Sequence, residues 1–145
     1  MKKIISATLF MAISMFANGL FAQEISKNQM KIFQTDNLLD FKKVFKTDDF
    51  NKCFAIKENS YDLLALSVKY ERKNIFNYLL SNTTDINRMC NNQSPLMVAA
   101  RYGKADMAQS LLKKGANKTL KNANGETAKD FAVKYEKADL SKILK

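Results

Sequence analysis

Short apolar stretches alternate with polar breaks along much of the chain. Residues 94–102 and 106–113 each carry apolar side chains at helical spacing, and a short polar break separates them. This spacing predicts a pair of short amphipathic helices. Gly115-Ala116-Asn117 and Asn124-Gly125 follow the pair, and Gly and Asn tolerate the positive φ of turns and helix C-caps. The pattern therefore predicts an all-α architecture built from helix pairs.

The helix-pair pattern recurs along the chain. Leu64 superposes on Leu96 at an offset of 32 residues, and Ala99 superposes on Ala132 at an offset of 33. A period of this length is typical of repeat arrays, in which each unit buries its apolar face against its neighbours. We therefore expect a solenoid.

Residues within the repeat resemble those of the ankyrin repeat. Ser94-Pro95-Leu96-Met97 is similar to the family's Thr-Pro-Leu-His start, although Met97 stands where the family has His. Residues 99–103, Ala-Ala-Arg-Tyr-Gly, are similar to the end of its inner helix. Residues 111–117, Leu-Leu-Lys-Lys-Gly-Ala-Asn, are similar to the exit of its outer helix. The resemblance implies an ankyrin-repeat solenoid of about four helix-turn-helix repeats with degenerate end repeats.

The neighbouring units match the motif less closely. Residues 124–132 are similar to the start of a terminal repeat. In the repeat before Ser94-Pro95-Leu96-Met97, the sequence Asp62-Leu63-Leu64-Ala65 replaces the motif. Residues 51–60 form a longer connection than residues 87–94, so we expect an irregular loop there. The expected repeats span residues 29–54, 58–89, 90–121 and 122–145, within one domain at 23–145.

The N-terminus has the pattern of a secretory signal peptide. Lys2 and Lys3 precede the apolar residues 4–16, and small or turn residues follow. We expect a signal peptide at residues 1–22 that is cleaved after Ala22, with residues 17–19 as a second site. An uncleaved membrane anchor is the alternative. The polar and small residues within 4–21, among them Ser6, Ser14 and Asn18, argue against a membrane-spanning helix. The expected location is periplasmic or secreted, with no stable membrane insertion after cleavage.

Composition and net charge restrict the functions that this chain can have. The net charge of +10 falls to +8 without Lys2 and Lys3, and residues 91–145 carry +6 of it. The chain has no His, no Gly-rich phosphate loop and no paired carboxylates at a defined spacing. We therefore expect no enzyme activity, no catalytic residues, no metal, no cofactor and no small-molecule substrate. Export also argues against a nucleic-acid partner and favours an acidic protein.

Cys53 and Cys90 are the two cysteines of the chain. In an oxidising compartment they are candidates for a disulfide, which would close a loop worth roughly 4 kcal/mol on the chain-entropy model. The alternative is two separate thiols that fill small apolar gaps.

Three basic residues, each followed by a tyrosine, recur at the repeat period. If the resemblance holds, they line up on the concave face, where Arg, Lys and Tyr suit an acidic protein partner. Tyrosines that merely pack on the adjacent repeat are the alternative. Gln93 and Glu126 lie in turns that are expected to project beside this ladder. The candidate partner-binding residues are Lys69, Tyr70, Arg101, Tyr102, Lys134, Tyr135, Gln93 and Glu126.

These observations favour a non-catalytic protein-protein interaction module in the cell envelope. It would bind an acidic protein through its concave face as an accessory or stabilising subunit. An immunity-type inhibitor of a toxin or enzyme and a structural or oligomerising scaffold are the alternatives, and the residues do not choose among them.

Overall fold

A computed structural model describes residues 22–145. The expected signal peptide lies outside the described residues except for Ala22. Four helix pairs follow one another in the described part: α1 Lys27–Gln34 with α2 Leu38–Val44, α3 Leu63–Lys69 with α4 Lys73–Asn82, α5 Pro95–Tyr102 with α6 Ala105–Lys113, and α7 Ala128–Lys134 with α8 Ala138–Ile143. The helix pair expected at 94–102 and 106–113 is present with nearly these bounds.

The expectation of an all-α fold is wrong in one region, because the chain also forms a small sheet. Its three strands are β1 Gln23–Glu24, β2 Phe54–Ile56 and β3 Asn59–Tyr61, in the order β1-β2-β3. β1 runs parallel to β2, and β2 runs antiparallel to β3. The connection expected to be an irregular loop is therefore a β-hairpin, whose turn contains Lys57 at φ 56°. A 3₁₀ turn, Thr47–Asp49, precedes it.

The first helix of each of the last three pairs begins at a side-chain cap. Asp62 accepts a hydrogen bond from the Ala65 amide at 2.7 Å, and Ser94 accepts one from the Met97 amide at 3.3 Å. Thr127 does the same for α7. Such caps satisfy amides that the helix leaves free at its N-terminus. The Ser-Pro start that resembled the ankyrin motif is thus a helix N-cap followed by a proline in the first turn.

The inner helices α3, α5 and α7 stack side by side, with α5 packed between the other two. Their apolar faces form one continuous core, which includes Leu66, Val98 and Ala132, each with no exposed surface. Stacking brings equivalent residues of successive pairs next to one another. The corresponding ends of α3, α5 and α7 therefore lie next to one another on one side of the molecule.

Candidate functional site

The predicted basic residues lie in the last turns of the three stacked helices. Lys69 ends α3, Lys134 ends α7, and Arg101 is the penultimate residue of α5. A cation in this position interacts favourably with the helix dipole. Each is followed by its tyrosine, and Tyr70, Tyr102 and Tyr135 are all partly buried.

Lys69 sits among three tyrosine rings. Its Nζ atom lies 4.5 Å from the ring centroid of Tyr61, 5.4 Å from that of Tyr70 and 5.6 Å from that of Tyr102. It also donates a hydrogen bond to the Tyr61 hydroxyl at 3.3 Å. Cation–π attraction of this kind holds an ammonium group in place without neutralising its charge.

Arg101 continues the same arrangement toward the C-terminus. Its guanidinium carbon lies 5.5 Å from the Tyr102 ring and 5.1 Å from the Tyr135 ring. Cations and aromatic rings thus alternate along the stack. We call the following five residues the tyrosine–cation row: Tyr61, Lys69, Tyr102, Arg101 and Tyr135.

Each predicted cation has an acceptor eight residues earlier in the chain. Lys69 donates to the Tyr61 hydroxyl, and Arg101 donates to the Gln93 amide oxygen at 3.5 Å. Lys134 donates to the Glu126 carboxylate at 3.1 Å and forms an ion pair with it. The first two acceptors are neutral, so they do not offset the positive charges of Lys69 and Arg101. The Glu126 carboxylate does offset the charge of Lys134.

Glu126 is held firmly in that ion pair. Hydrogen bonds from Asn122 and from Lys134 lower the pKa of the Glu126 carboxyl below its ordinary value. Asn122 is itself buried, and its amide nitrogen lies 3.0 Å from a Glu126 oxygen. Of the three predicted cations, Lys134 is therefore the one that already pairs with a carboxylate of this chain.

Gln93 lies beside the basic ladder but is buried. Gln93 is only 6% exposed, because its backbone pairs with that of Cys90 in a tight hairpin and its side chain turns toward Arg101. The tip of that hairpin is Asn91-Asn92, at φ 48° and 59°. The left-handed conformation, which Asn tolerates, explains why two asparagines occupy the turn.

Tyr61 is a member of the row that was not predicted. It is 1% exposed, yet its hydroxyl reaches Tyr102 at 3.5 Å as well as Lys69. The signal was present in the sequence, since Tyr61, Gln93 and Glu126 are spaced by the repeat period of 32 and 33 residues. The same positions hold the acceptors of all three cations.

The two tyrosines at the centre of the row differ in acidity. Burial, together with the hydrogen bond to Tyr102, raises the pKa of Tyr61 above its ordinary value. Burial also raises the pKa of Tyr102, but the hydrogen bond with Tyr61 and the charges of Lys69 and Arg101 outweigh it. The pKa of Tyr102 is therefore lowered overall.

Cys53 and Cys90 lie beside the two hairpins that carry Tyr61 and Gln93. Their Sγ atoms are 2.00 Å apart and their Cα atoms 5.6 Å apart, the separations of a disulfide. The two hairpins also touch at their tips, where the Asn91 amide donates to the Asn59 side chain at 2.9 Å.

Two features, a metal-binding cluster and a membrane-spanning helix, are not found in residues 22–145. No group of three or more Cys, Asp or Glu side chains is placed there to hold a metal ion. Among the helices of this region, none has the length and apolarity needed to cross a membrane.

Comparison with known proteins agrees with this architecture. The family model described as ankyrin repeats (3 copies) matches residues 34–122 and 64–145. The chain is 29% identical over 120 residues to alpha-latrotoxin-Lg1a of Latrodectus geometricus, a match that covers 80% of this chain and 8% of that protein. It is 25% identical over 119 residues to a protein of Borreliella burgdorferi named as a putative ankyrin repeat protein. This match covers 80% of this chain and 28% of that protein. This chain thus spans less than a third of either relative. Because the family model covers most of its length, the chain belongs to the ankyrin repeat family.

Proposed function

We propose that this protein is a non-catalytic interaction module that binds an acidic protein partner through the tyrosine–cation row. Ankyrin repeats generally mediate protein–protein interaction. The row adds the chemistry by which this chain would select its partner. The expected export of the chain places the interaction in the cell envelope, where the protein acts as an accessory or stabilising subunit.

The observation that carries the proposal is the pairing of the three cations. Among residues 22–145, ion pairs join Lys43, Lys52, Lys104 and Lys134 to carboxylates, but none involves Lys69 or Arg101. Both are instead held by tyrosine rings and neutral acceptors. They are therefore fixed in position with their charge uncompensated, which is the state that suits binding of a carboxylate.

Preorganisation is the physical reason that this arrangement favours binding. A free Lys or Arg side chain loses rotamer entropy when it binds a carboxylate, and this loss weakens the interaction. Lys69 and Arg101 have lost much of that freedom already. Both lie within 5.6 Å of the Tyr102 ring, so two carboxylates on either side of one tyrosine would meet both cations. Tyrosine and arginine are also the residues that dominate many interfaces.

Affinity capture with charge-reversed variants tests the proposal. The wild-type protein should capture an acidic protein from the envelope fraction, with less recovered as salt is raised. Lys69→Glu with Arg101→Glu should lose that protein. Lys113→Glu with Lys114→Glu is the matched control, because it makes the same charge change at exposed lysines beyond the row and should retain the partner. Equal capture by both double variants would contradict the proposal.

Lys134, which lies next to the row but outside it, provides a second comparison. Since Glu126 already pairs with Lys134, Lys134→Ala should reduce partner binding less than Arg101→Ala does. We expect Arg101→Ala to weaken the partner Kd by about tenfold or more, the loss typical of an interface arginine, and Lys134→Ala by less. Equal losses would show that total charge, and not the row, determines binding.

A further inference from the structure

The two cations of the row are held by residues of two neighbouring hairpins. Tyr61, which accepts from Lys69, lies in β3 and pairs across the hairpin with Phe54. Gln93, which accepts from Arg101, pairs with Cys90 through backbone hydrogen bonds of 3.1 and 3.2 Å. The position of each cation therefore depends on the position of one hairpin.

The two cysteines join these hairpins close to the acceptors. Cys53 directly precedes Phe54, the cross-strand partner of Tyr61, and Cys90 is the backbone partner of Gln93. A bond between Cys53 and Cys90 thus links the strand pair that holds Lys69 to the hairpin that holds Arg101. Besides the helix stack, the Asn91–Asn59 hydrogen bond also joins these hairpins, and it is exposed to water.

We propose that a Cys53–Cys90 disulfide positions Lys69 and Arg101, acting through Tyr61 and Gln93, so that the oxidised protein binds its acidic partner more tightly than the protein without the bond. The inference rests on the proposed function of the row. Tyr61, Gln93 and the two cysteines are positioning residues in this scheme, and the cations make the contact with the partner.

Bond formation needs an oxidant that exported proteins meet. A thiolate of one cysteine attacks the disulfide of a thiol oxidoreductase and forms a mixed disulfide, and the second cysteine thiolate then displaces the enzyme. The two thiols of this chain lose two protons and two electrons, and the disulfide of the oxidoreductase is reduced to a dithiol. Reducing cytosolic conditions oppose this step, whereas the expected compartment allows it.

The effect of the bond follows from the limited contacts of a solenoid. Each helix pair is held mainly by its neighbours. Phe54 and Tyr61 anchor the β2–β3 hairpin in the core, but the side-chain hydrogen bond between Asn91 and Asn59 that joins it to the hairpin of Cys90 and Gln93 is exposed and therefore a weak restraint. Without the bond, we expect the hairpin of β2 and β3 to move relative to that of Cys90 and Gln93. Such motion separates Tyr61 from Tyr102 and returns mobility to the Lys69 side chain.

The first measurement uses the acidity of Tyr102 and needs no partner. The intact mass of the protein isolated from the envelope should increase by two hydrogens when it is reduced. Ultraviolet titration of the tyrosinates, with Tyr102→Phe to identify the Tyr102 contribution, should then find a lowered pKa in the oxidised protein. In Cys53→Ser with Cys90→Ser this pKa should rise toward the ordinary value of about 10. An unchanged mass on reduction, or an unchanged Tyr102 pKa, would overturn the inference.

The second measurement uses a fluorescent hexaglutamate peptide as the probe. We expect the double serine variant to bind it about five- to tenfold more weakly than the oxidised wild type, with the helical circular dichroism signal retained. Lys69→Glu with Arg101→Glu, which keeps both cysteines, tests the proposed function separately. If that charge-reversed variant binds as well as the wild type, the proposed function fails. If it loses binding but the serine variant does not, the positioning role of the disulfide fails.

Two variants that keep both cysteines test the inference even if the serine variant does not fold. Tyr61→Phe preserves the buried ring and removes the hydroxyl that joins Lys69 to Tyr102, so the pKa of Tyr102 should rise. Gln93→Ala releases Arg101 alone and should weaken hexaglutamate binding by about threefold. A Tyr102 pKa and an affinity that are unchanged in both variants would overturn the inference.

Discussion

Asp62 shows how one residue can cap a helix and also destabilise the fold. It stands where the next repeats have Ser94 and Thr127, and one oxygen accepts from the Ala65 amide. The other oxygen is buried and has no hydrogen-bond partner. Burial is the main cause that raises the pKa of Asp62 to about 7, and Asp85 adds to it, while the Ala65 hydrogen bond and Arg88 act in the opposite direction. Ionised Asp62 is therefore costly in the folded state.

The sign of this effect gives a test. Because the folded pKa is above the unfolded one, the native state binds the extra proton, and stability falls as pH rises from about 4 to about 7. Asp62→Ser keeps a capping oxygen and carries no charge. We expect it to raise the free energy of unfolding by about 1–3 kcal/mol at about pH 8, and by less at about pH 4.5. Urea unfolding at both pH values measures this, and an equal change at both would show that Asp62 is not ionised at a cost.

At the scale of elements, the first two helix pairs are joined by a cap that crosses from one pair to the other. The α4 helix has no capping side chain at its own N-cap, Arg72. Asp36, in the turn between α1 and α2, accepts from the Asn74 and Ile75 amides instead, each at 3.0 Å. Asp36 also has a left-handed backbone at φ 55°, which Asp tolerates better than most residues.

Removal of this cap should weaken the junction of the first two helix pairs. We expect Asp36→Ala to lower the free energy of unfolding by about 1–2 kcal/mol, because two amides at the start of α4 lose their acceptor. Asp36→Asn retains an acceptor oxygen and the tolerance of positive φ, so it should cost less. Thermal unfolding of the three proteins measures the difference, and equal losses for Ala and Asn would exclude a capping role.

The helices could be predicted from the sequence because apolar spacing and turn signals mark them, and a capping residue adds to these at the start of α3, α5 and α7. The strands could not, since β2 and β3 have three residues each and are too short to show alternation. β1 also depends on a contact between residues far apart, Gln23 and Phe54. In the site, the cations were predicted from the repeat period. The burial of Gln93 could not be predicted, because it depends on a local hairpin with Cys90 that turns the side chain toward Arg101.

Across the whole molecule, the two ends of the solenoid are built differently. The N-terminal end packs aromatic rings against one another, among them Phe33, Phe41 and Phe45, with Tyr78 at their edge. The C-terminal pairs have one such ring contact, between Phe131 and Tyr135, and otherwise bury smaller side chains such as Ala108 and Leu111. Most of the net positive charge also lies in residues 91–145. Stability should therefore be distributed unevenly along the array.

This unevenness can be tested by removing one buried side chain at each end. Phe41 has no exposed surface and contacts Phe33, Phe45, Phe50 and Tyr78, so Phe41→Ala should cost about 3–5 kcal/mol. Because a solenoid depends on contacts between neighbouring repeats, hydrogen exchange should lose protection first in residues 23–61. Leu111→Ala, also fully buried, should cost about 2–5 kcal/mol and expose residues 95–143 first. If both variants lost protection uniformly, the array would unfold as one cooperative unit, and neighbour contacts would not limit its local stability.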